Sequence, residues 1–332
     1  MKRLVFVILV SSFLFSLVFV QEENIVAVKA YSSIYQGDLI LTGNNVTVIE
    51  DRRFDINGSI IVEENATLIL NNAVVNLIQT MDFQHRMRFA SLPEHNPFLQ
   101  AADVMITSNH RFIIWFYYNS SAAISNCTIS EKGRLSTWYS SYLYAVELKA
   151  EGLDVYMFSV VYLVNSDLGT VMNSGPVKVW LVNSTYDRIS YYESQSEPRA
   201  YVCWFLDVHV VDSIGQDVPS ANITIYDHTD VMTDSKLTSN DGLANFIVPE
   251  KVIYPSGQHS YGNYTIKTTY DDFCDQTTVN MTDNKQITLT LEDFVIPEFP
   301  SFPILSLFMI ATLLAVIVYR RKHQTRNKKR EV

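Results

Sequence analysis

Short runs in which every second residue is apolar dominate the chain from residue 37 to about residue 78, as at Val46 and Val48 or at Leu68 and Leu70. A period of two places such side chains on one face of a β-strand, and Asn- and Gly-rich turns separate the runs by roughly 8–14 residues. Helical spacing is absent from this region. The pattern therefore predicts a mainly β fold, built either as the rungs of a β-solenoid or as a β-sandwich.

An internal repeat favours the solenoid. Residues 161–166 (VYLVNS) recur as residues 179–184 (VWLVNS), and residues 68–74 and 123–129 follow the same plan of an apolar strand turned by polar residues. These stretches resemble right-handed parallel β-helix proteins of the pectin lyase-like class, in which stacked coils close a continuous core. The resemblance implies a β-helix over residues 31–198, with a β-sandwich as the alternative. Residues 82–111 show no strand period, so we expect a loop inserted between coils there.

A second all-β module is predicted over residues 199–293, with strands at 203–211, 222–226, 243–248, 264–270, 277–281 and 286–291. In the first of these strands Trp204, Leu206, Val208 and Val210 fall on the apolar face, so they are predicted to point inward.

The order of turn signals in this module resembles the carboxypeptidase regulatory-like family of Ig-like β-sandwiches. A strand runs into Asp212 and Gly215, a small residue opens the next strand at Ala221, and Gly242 closes a polar turn before the third. A Tyr-Thr-Ile strand follows at residues 264–266. The resemblance implies a structural or binding role for the module.

The C-terminal segment has the composition of a membrane anchor. Residues 304–319 are uncharged, residues 294–303 form a Pro-rich linker, and the tail 320–332 begins with the basic cluster Arg320, Arg321 and Lys322. The apolar run is near the short limit for crossing a bilayer, and the positive-inside rule places the tail in the cytoplasm. The sequence therefore predicts a single-pass protein of the cell membrane whose bulk is extracellular.

The N-terminus has the layout of a secretion signal. Lys2 and Arg3 precede an apolar run over residues 4–20. This arrangement predicts a signal peptide within residues 1–30, or an uncleaved second anchor.

The motif Pro297, Glu298 and Phe299 lies directly before the terminal apolar run and its basic cluster. This order resembles the PEF-CTERM type of sorting signal found on archaeal surface proteins. The resemblance implies an archaeosortase-like processing enzyme as a partner, with an unprocessed helix as the alternative.

Charge narrows the range of partners. The chain carries −10 overall, but without Lys2, Arg3 and the seven tail cations 25 − 9 = 16 basic residues remain, against 35 − 1 = 34 acidic ones without Glu331. The exported part is thus near −18, which argues against nucleic acid as a partner.

Sequons and cysteines supply the remaining candidate sites. Nine Asn-x-Ser/Thr sequons are candidate glycosylation sites: Asn45, Asn57, Asn65, Asn119, Asn126, Asn183, Asn222, Asn263 and Asn280. Cys203 and Cys274 could form a disulfide between two sheets, which would leave Cys127 unpaired.

No motif supports catalysis, a metal site or a cofactor. His85, His95 and His110 lie in the expected loop at spacings that match no compact ligand pattern. Asp227 and Asp230 are better explained as turn residues than as a cation site. The sequence therefore predicts a non-enzymatic surface or adhesion protein that binds glycans or neighbouring surface-layer proteins. The alternative is an extracellular polysaccharide lyase or glycosidase that uses the 82–111 segment.

Overall fold

The computed structural model describes residues 25–27, 34–90, 92–192, 199–292, 294–295 and 308–320. Sixteen strands form the first part of the chain. They are β1 Ile25–Ala27, β2 Tyr35–Gln36, β3 Leu39–Leu41, β4 Val46–Asn57, β5 Ile60–Val62, β6 Thr67–Leu77, β7 Met87–Phe89, β8 Phe98–Ser108, β9 Phe112–Tyr117, β10 Ser121–Ile129, β11 Gly133–Trp138, β12 Tyr142–Tyr156, β13 Val160–Val164, β14 Asp167–Ser174, β15 Lys178–Val182 and β16 Thr185–Tyr191.

Eight more strands follow. They are β17 Arg199–Asp212, β18 Asn222–Tyr226, β19 Met232–Leu237, β20 Leu243–Tyr254, β21 Gly257–Ser260, β22 Asn263–Tyr270, β23 Phe273–Asn280 and β24 Lys285–Leu291.

The first part is a parallel β-solenoid of about eight turns, which confirms the solenoid over the sandwich. Each strand pairs in parallel with its equivalent in the next coil, so that β4, β6, β8, β10 and β12 form a continuous stack. Each of these long strands bends once. We call the part of the stack before the bend face A and the part after the bend face B. Face C is the stack of β3, β5, β7, β9 and β11. Its last strand, β11, pairs in parallel with the final residues of β12.

The 18-residue repeat corresponds to one coil. Val161 of β13 pairs with Val179 of β15, and Leu163 pairs with Leu181, all four being fully buried. Alternate residues of every coil enter a single core cluster that runs from Leu41 to Val202. The sequence repeat therefore marks the vertical repeat of the solenoid, as predicted.

One residue with positive φ turns each coil from face A to face B. These corner residues are Asp51, Asn72, Asp103, Asn126, Glu147, Asn165 and Asn183. Three pairs of these side chains join successive coils. Nδ2 of Asn72 donates to Oδ1 of Asp51 at 2.9 Å, Nδ2 of Asn126 to Oδ1 of Asp103 at 2.6 Å, and Nδ2 of Asn183 to Oδ1 of Asn165 at 2.7 Å. Asn tolerates the left-handed region and forms these bonds, which explains its frequency at the corners.

The prediction of a loop over residues 82–111 is wrong. The segment contains the whole of β7 and β8, which supply the buried residues Phe89, Val104 and Ile106 to the core. The corner at Asp103 shifts the inward positions by one residue, which hides the alternation in the sequence. Of the described residues in the segment, 82–86, 90, 92–97 and 109–111 lie outside strands, and the stretches on either side of β7 lengthen this coil.

Strand β17 belongs to both parts of the molecule. Its first residues pair in parallel with β15 of the last coil, whereas residues from Leu206 onward pair with β24. Strand β20 runs antiparallel to almost the whole of β17, and β21 pairs with β20. The β20–β21 hairpin thus covers the last coil and gives the solenoid the capping element that repeat folds need.

The second part consists of two facing sheets around a separate core. Strands β19, β18, β22 and β23 form an antiparallel sheet. Its buried residues Ile223, Tyr264 and Ile266 share a cluster with Leu206 and Phe246 from the sheet of β17. Leu206, Val208 and Val210 are buried as predicted, while Trp204 is half-buried between the two cores.

A helix covers residues 308–320, within and just beyond the predicted anchor. Among the described residues, no helix has the length and apolarity needed to cross a membrane. Several predicted features lie outside the described residues: the motif Pro297, Glu298 and Phe299, and the basic residues Arg321 and Lys322. The predicted signal segment also lies outside them, except for the three residues of β1. Arg320 is the last described residue of this helix.

Candidate binding surface

A row of exposed apolar side chains lies where the coils turn from face C back to face A. Four residues occupy this edge in three successive coils: Tyr118, Tyr139, Met157 and Phe158. The exposed fraction of these residues ranges from 36% to 64%. Backbone hydrogen bonds fix the alignment, since Asn119 N donates to Tyr139 O at 3.3 Å. We call these four residues the apolar ridge.

The ridge residues all adopt a strained backbone. Their φ angles lie between 41° and 62°, in the left-handed region that bulky side chains avoid. Such a conformation costs about 1–2 kcal/mol per L-residue. Gly175 takes the equivalent turn in the next coil with φ 79° and without that cost. Apolar residues thus occupy positions where Gly or Asn would be more stable, a pattern that points to function.

A column of aromatic rings on face C supports the ridge. The rings of Tyr117 and Trp138 stack with centroids 5.6 Å apart, and Trp138 stacks on Tyr156 at 3.9 Å. The ridge continues this stacking, because the rings of Tyr118 and Tyr139 are 4.9 Å apart and nearly parallel. Burial is the main cause that raises the pKa of Tyr117 and of Tyr156.

Paired charges lie beside this column. Arg134 donates to Asp154 through Nε at 3.1 Å and through a terminal nitrogen at 2.6 Å. This bond to Asp154 is the main reason that the pKa of Arg134 is raised. The guanidinium lies over Gly152, where an added Cβ would come within 2.7 Å of it. A Gly at this position therefore makes room for the ion pair.

A second aromatic column runs along face A. Tyr144, Tyr162, Trp180 and Tyr201 are register partners in successive coils, with neighbouring centroids 5.8, 6.2 and 4.2 Å apart. All four are half-buried. Their rings pack mainly on one another, so this column stabilises the coil stack.

The polar residues of the 82–111 segment divide among several environments. Arg86 lies 5.1 Å from the Trp115 ring, and Arg88 forms an ion pair with Glu63. His110 Nδ1 is 3.5 Å from Asp82 Oδ1.

Asp82, His110 and Arg111 share a shallow open depression with Glu131, Lys132 and Glu151. A hydrogen bond from the Arg111 backbone is the main cause that lowers the pKa of Asp82. Asp82 therefore remains ionised and holds the turn, whereas a general acid needs a raised pKa.

Seven of the nine predicted sequon asparagines are exposed, and Asn183 and Asn222 are half-buried. Asn126 and Asn183 are corner residues whose Nδ2 atoms already donate to the coil below, at 2.6 and 2.7 Å. Asn263 and Asn280 are direct partners across β22 and β23. Among the exposed set, Asn45 lies in an open turn before β4.

The predicted Cys203–Cys274 disulfide is wrong in this structure, where all three cysteines are thiols. Cys203 is buried in β17 at the junction of the two parts, while Cys274 is exposed on β23 of the opposite sheet. Cys127 is buried, and its burial raises the pKa of the thiol.

Turn chemistry explains Asp227, as predicted. Its Oδ1 accepts hydrogen bonds from the backbone of Thr229 at 2.8 Å and of Val231 at 3.1 Å. The bond from the Thr229 hydroxyl is the main cause that lowers the Asp227 pKa. Within the part of the chain that the structure describes, no three His, Cys, Asp or Glu side chains come together as metal ligands.

Sequence reasoning did not identify the apolar ridge or the aromatic columns. Their signal was present, because Tyr144, Tyr162 and Trp180 recur at the 18-residue period of the predicted repeat. Applying that period to aromatic residues alone would have found the face A column. The ridge follows only from the backbone conformation, which the sequence does not display.

Comparisons with known proteins yield little. No protein-family model matches the chain, and no curated protein matches it. Among solved structures, the Bacillus anthracis TIE protein is similar over 32% of this chain and 18% of its own, with 20% identity and a TM-score of 0.22. GBS52, the minor pilin of Streptococcus agalactiae, is similar over 35% of this chain and 53% of its own, with 12% identity and a TM-score of 0.22. The matched part therefore spans about half or less of either protein.

Proposed function

We propose that this chain is a non-enzymatic surface-displayed binding protein of the cell envelope. The observation that carries the proposal is the apolar ridge on a capped β-solenoid. Exposed aromatic residues that are held on a rigid scaffold at a cost in backbone strain favour binding over a purely structural role.

The display arrangement rests on the sequence. We propose that residues 1–30 direct export, that 304–319 anchor the chain in the membrane, and that the exported part carries N-glycans. In this proposal the solenoid is a right-handed β-helix of the pectin lyase-like class, and residues 199–293 are an Ig-like carboxypeptidase regulatory-like spacer. An archaeosortase-like enzyme that cuts near Pro297 to Phe299 is a further proposed partner.

Alkaline carbonate extraction of cell membranes and mass measurement of the mature C-terminus test the display arrangement. We expect the protein in the membrane pellet, and complete release by carbonate would contradict the anchor. An intact basic tail on the surface protein would exclude processing. A fall in apparent mass after deglycosylation is expected for the exported glycoprotein.

Flotation of liposomes that carry the full chain tests the binding function. Isolated cell-envelope material should float with these liposomes and not with empty ones. Equal recovery with both would contradict the proposed function.

A second candidate is a carbohydrate-active enzyme, favoured by the convergence of Asp82, His110, Glu131 and Glu151 on one depression. The lowered pKa of Asp82 weighs against it. Incubation with uronate-containing and neutral polysaccharides distinguishes the two functions. New reducing ends that disappear in an Asp82→Ala variant would favour the enzyme, and their absence favours the binding protein.

A further inference from the structure

The apolar ridge has the composition of a recognition surface. It contains two tyrosines, a phenylalanine and a methionine, and no charged residue. Tyr and Phe supply a large contact area at low cost in side-chain entropy, because each ring has only two torsions to fix. Surface residues scattered singly need no explanation, but these four are grouped on one edge of adjacent coils, and the rings of Tyr118 and Tyr139 stack on each other.

Phe158 is the most accessible member of the ridge, with 64% of its surface exposed. Within the described part of the chain its ring makes no aromatic contact, whereas the rings of Tyr118 and Tyr139 partly cover each other. The open faces of such rings carry partial negative charge, which attracts polarised C–H groups. Sugars offer C–H groups of this kind on the less polar face of a pyranose ring.

The dimensions of the ridge also match a chain of sugars. Adjacent coils are separated by about 4.8 Å, the spacing between neighbouring strands, which is close to the length of one pyranose unit in a linear polysaccharide. A glycan that lies parallel to the solenoid axis can therefore place one sugar on each coil. Tyr118 and Tyr139 also carry hydroxyl groups, which can hydrogen-bond to a sugar.

Charge selects among glycans. The exported part of the chain carries about 16 − 34 = −18, so polyuronates and a second copy of this acidic chain are repelled at long range. Asp154, beside the aromatic column, is already neutralised by Arg134. An uncharged polymer approaches the ridge without this penalty.

We propose that the apolar ridge binds a linear neutral glycan, with Phe158 as the main stacking residue and Tyr118, Tyr139 and Met157 as flanking contacts. The inference rests on the proposed binding function and names its site and ligand class.

The test measures binding of the full chain in liposomes to three probes: a soluble linear β-glucan, a linear mannan and polygalacturonate. At least one neutral polymer should bind, with polygalacturonate at least tenfold weaker. Phe158→Asn is the decisive variant, since Asn tolerates the left-handed backbone at φ 62° and little burial is lost. The variant should lose at least tenfold in affinity while its Tm stays level or rises. Ile40→Asn, at an equally exposed apolar position on face C, is the matched control and should bind as the wild type does.

Four results would overturn the inference: no binding of either neutral polymer, equal binding of polygalacturonate, unchanged affinity of Phe158→Asn, or a fall in its Tm that accounts for the lost binding. Periodate treatment of the cell-envelope material shows whether only the glycan inference fails or the proposed binding function fails as well. Envelope that still binds the wild-type chain after its sugars are oxidised would preserve the binding function and reject the glycan in favour of a protein ligand. Envelope that never binds would reject the function itself.

Discussion

Tyr191 joins the last coil of the solenoid to the hairpin that covers it, and its replacement by Phe has a pH-dependent effect that can be calculated. The phenol donates a hydrogen bond of 2.7 Å to the backbone oxygen of Ile253 in β20. At neutral pH, Tyr191→Phe removes this bond and should lower the free energy of unfolding by about 0.5–1.5 kcal/mol.

The sign of the effect changes in alkali. Burial raises the pKa of Tyr191 from 10.0 to about 12, while the Asn173 side chain partly opposes this. Between pH 10 and pH 12 the unfolded chain loses the phenol proton and the folded chain keeps it. The wild type therefore loses stability as pH rises, by at most about 1.4 kcal/mol per pH unit, and by less because solvent reaches part of the ring. The Phe variant has no such loss at this position.

Urea unfolding of the full chain in mild detergent, followed by circular dichroism from pH 7 to pH 11.5, measures the difference. We expect the wild type to be the more stable protein up to pH 10, and the gap to close or reverse by pH 11.5. Tyr192→Phe replaces the exposed neighbour, and it should leave the free energy of unfolding at pH 7 and at pH 11.5 equal to that of the wild type. A constant gap over the whole range would refute the reasoning, since it would mean that Tyr191 ionises equally in both states.

Three further predictions concern the core, the ion pair and the thiols. Leu143→Ala, at a fully buried position, should lower the free energy of unfolding by about 2–5 kcal/mol. Met105→Ala, at a position that is 47% exposed, should change it by less than about 0.5 kcal/mol. Similar losses for the two variants would contradict the inward and outward positions assigned to these side chains. Asp154→Ala should cost about 1.5–3 kcal/mol in urea unfolding because it leaves the half-buried Arg134 guanidinium unpaired, and a loss near zero would show that water replaces the carboxylate. Thiol titration should find one fast-reacting group, Cys274, in the native protein and three groups after denaturation, and finding only one after denaturation would restore the disulfide.

The periodic parts of the fold were predictable because one rule repeats. An inward residue at every second position, as at Leu68 and Leu70, identifies a strand, and the 18-residue recurrence identifies the coil. The strand β8 was missed, and there, as at the corner of every coil, one left-handed residue reverses which positions face inward, in this case Asp103. A pattern with a period of two cannot show such a shift unless the corner is recognised.

Contacts between distant segments could not be predicted. Cys203 lies in a strand, as expected, and Cys274 lies in β23, which begins before the predicted strand at 277–281. The sequence does not reveal that Cys203 is buried at the junction and Cys274 is exposed on the opposite sheet. The boundary placed after residue 198 coincides with the start of β17, yet that strand joins the two parts rather than separating them. The bond from Tyr191 to Ile253 has the same origin, because it depends on how the hairpin covers the last coil.

The most direct test of the account is flotation of cell-envelope material with liposomes that carry the wild-type chain or Phe158→Asn. We expect envelope material to float with the wild type, and we expect the variant to recover at most a tenth as much while its Tm is no lower. Equal recovery with both proteins would contradict the claim that the apolar ridge is the binding surface.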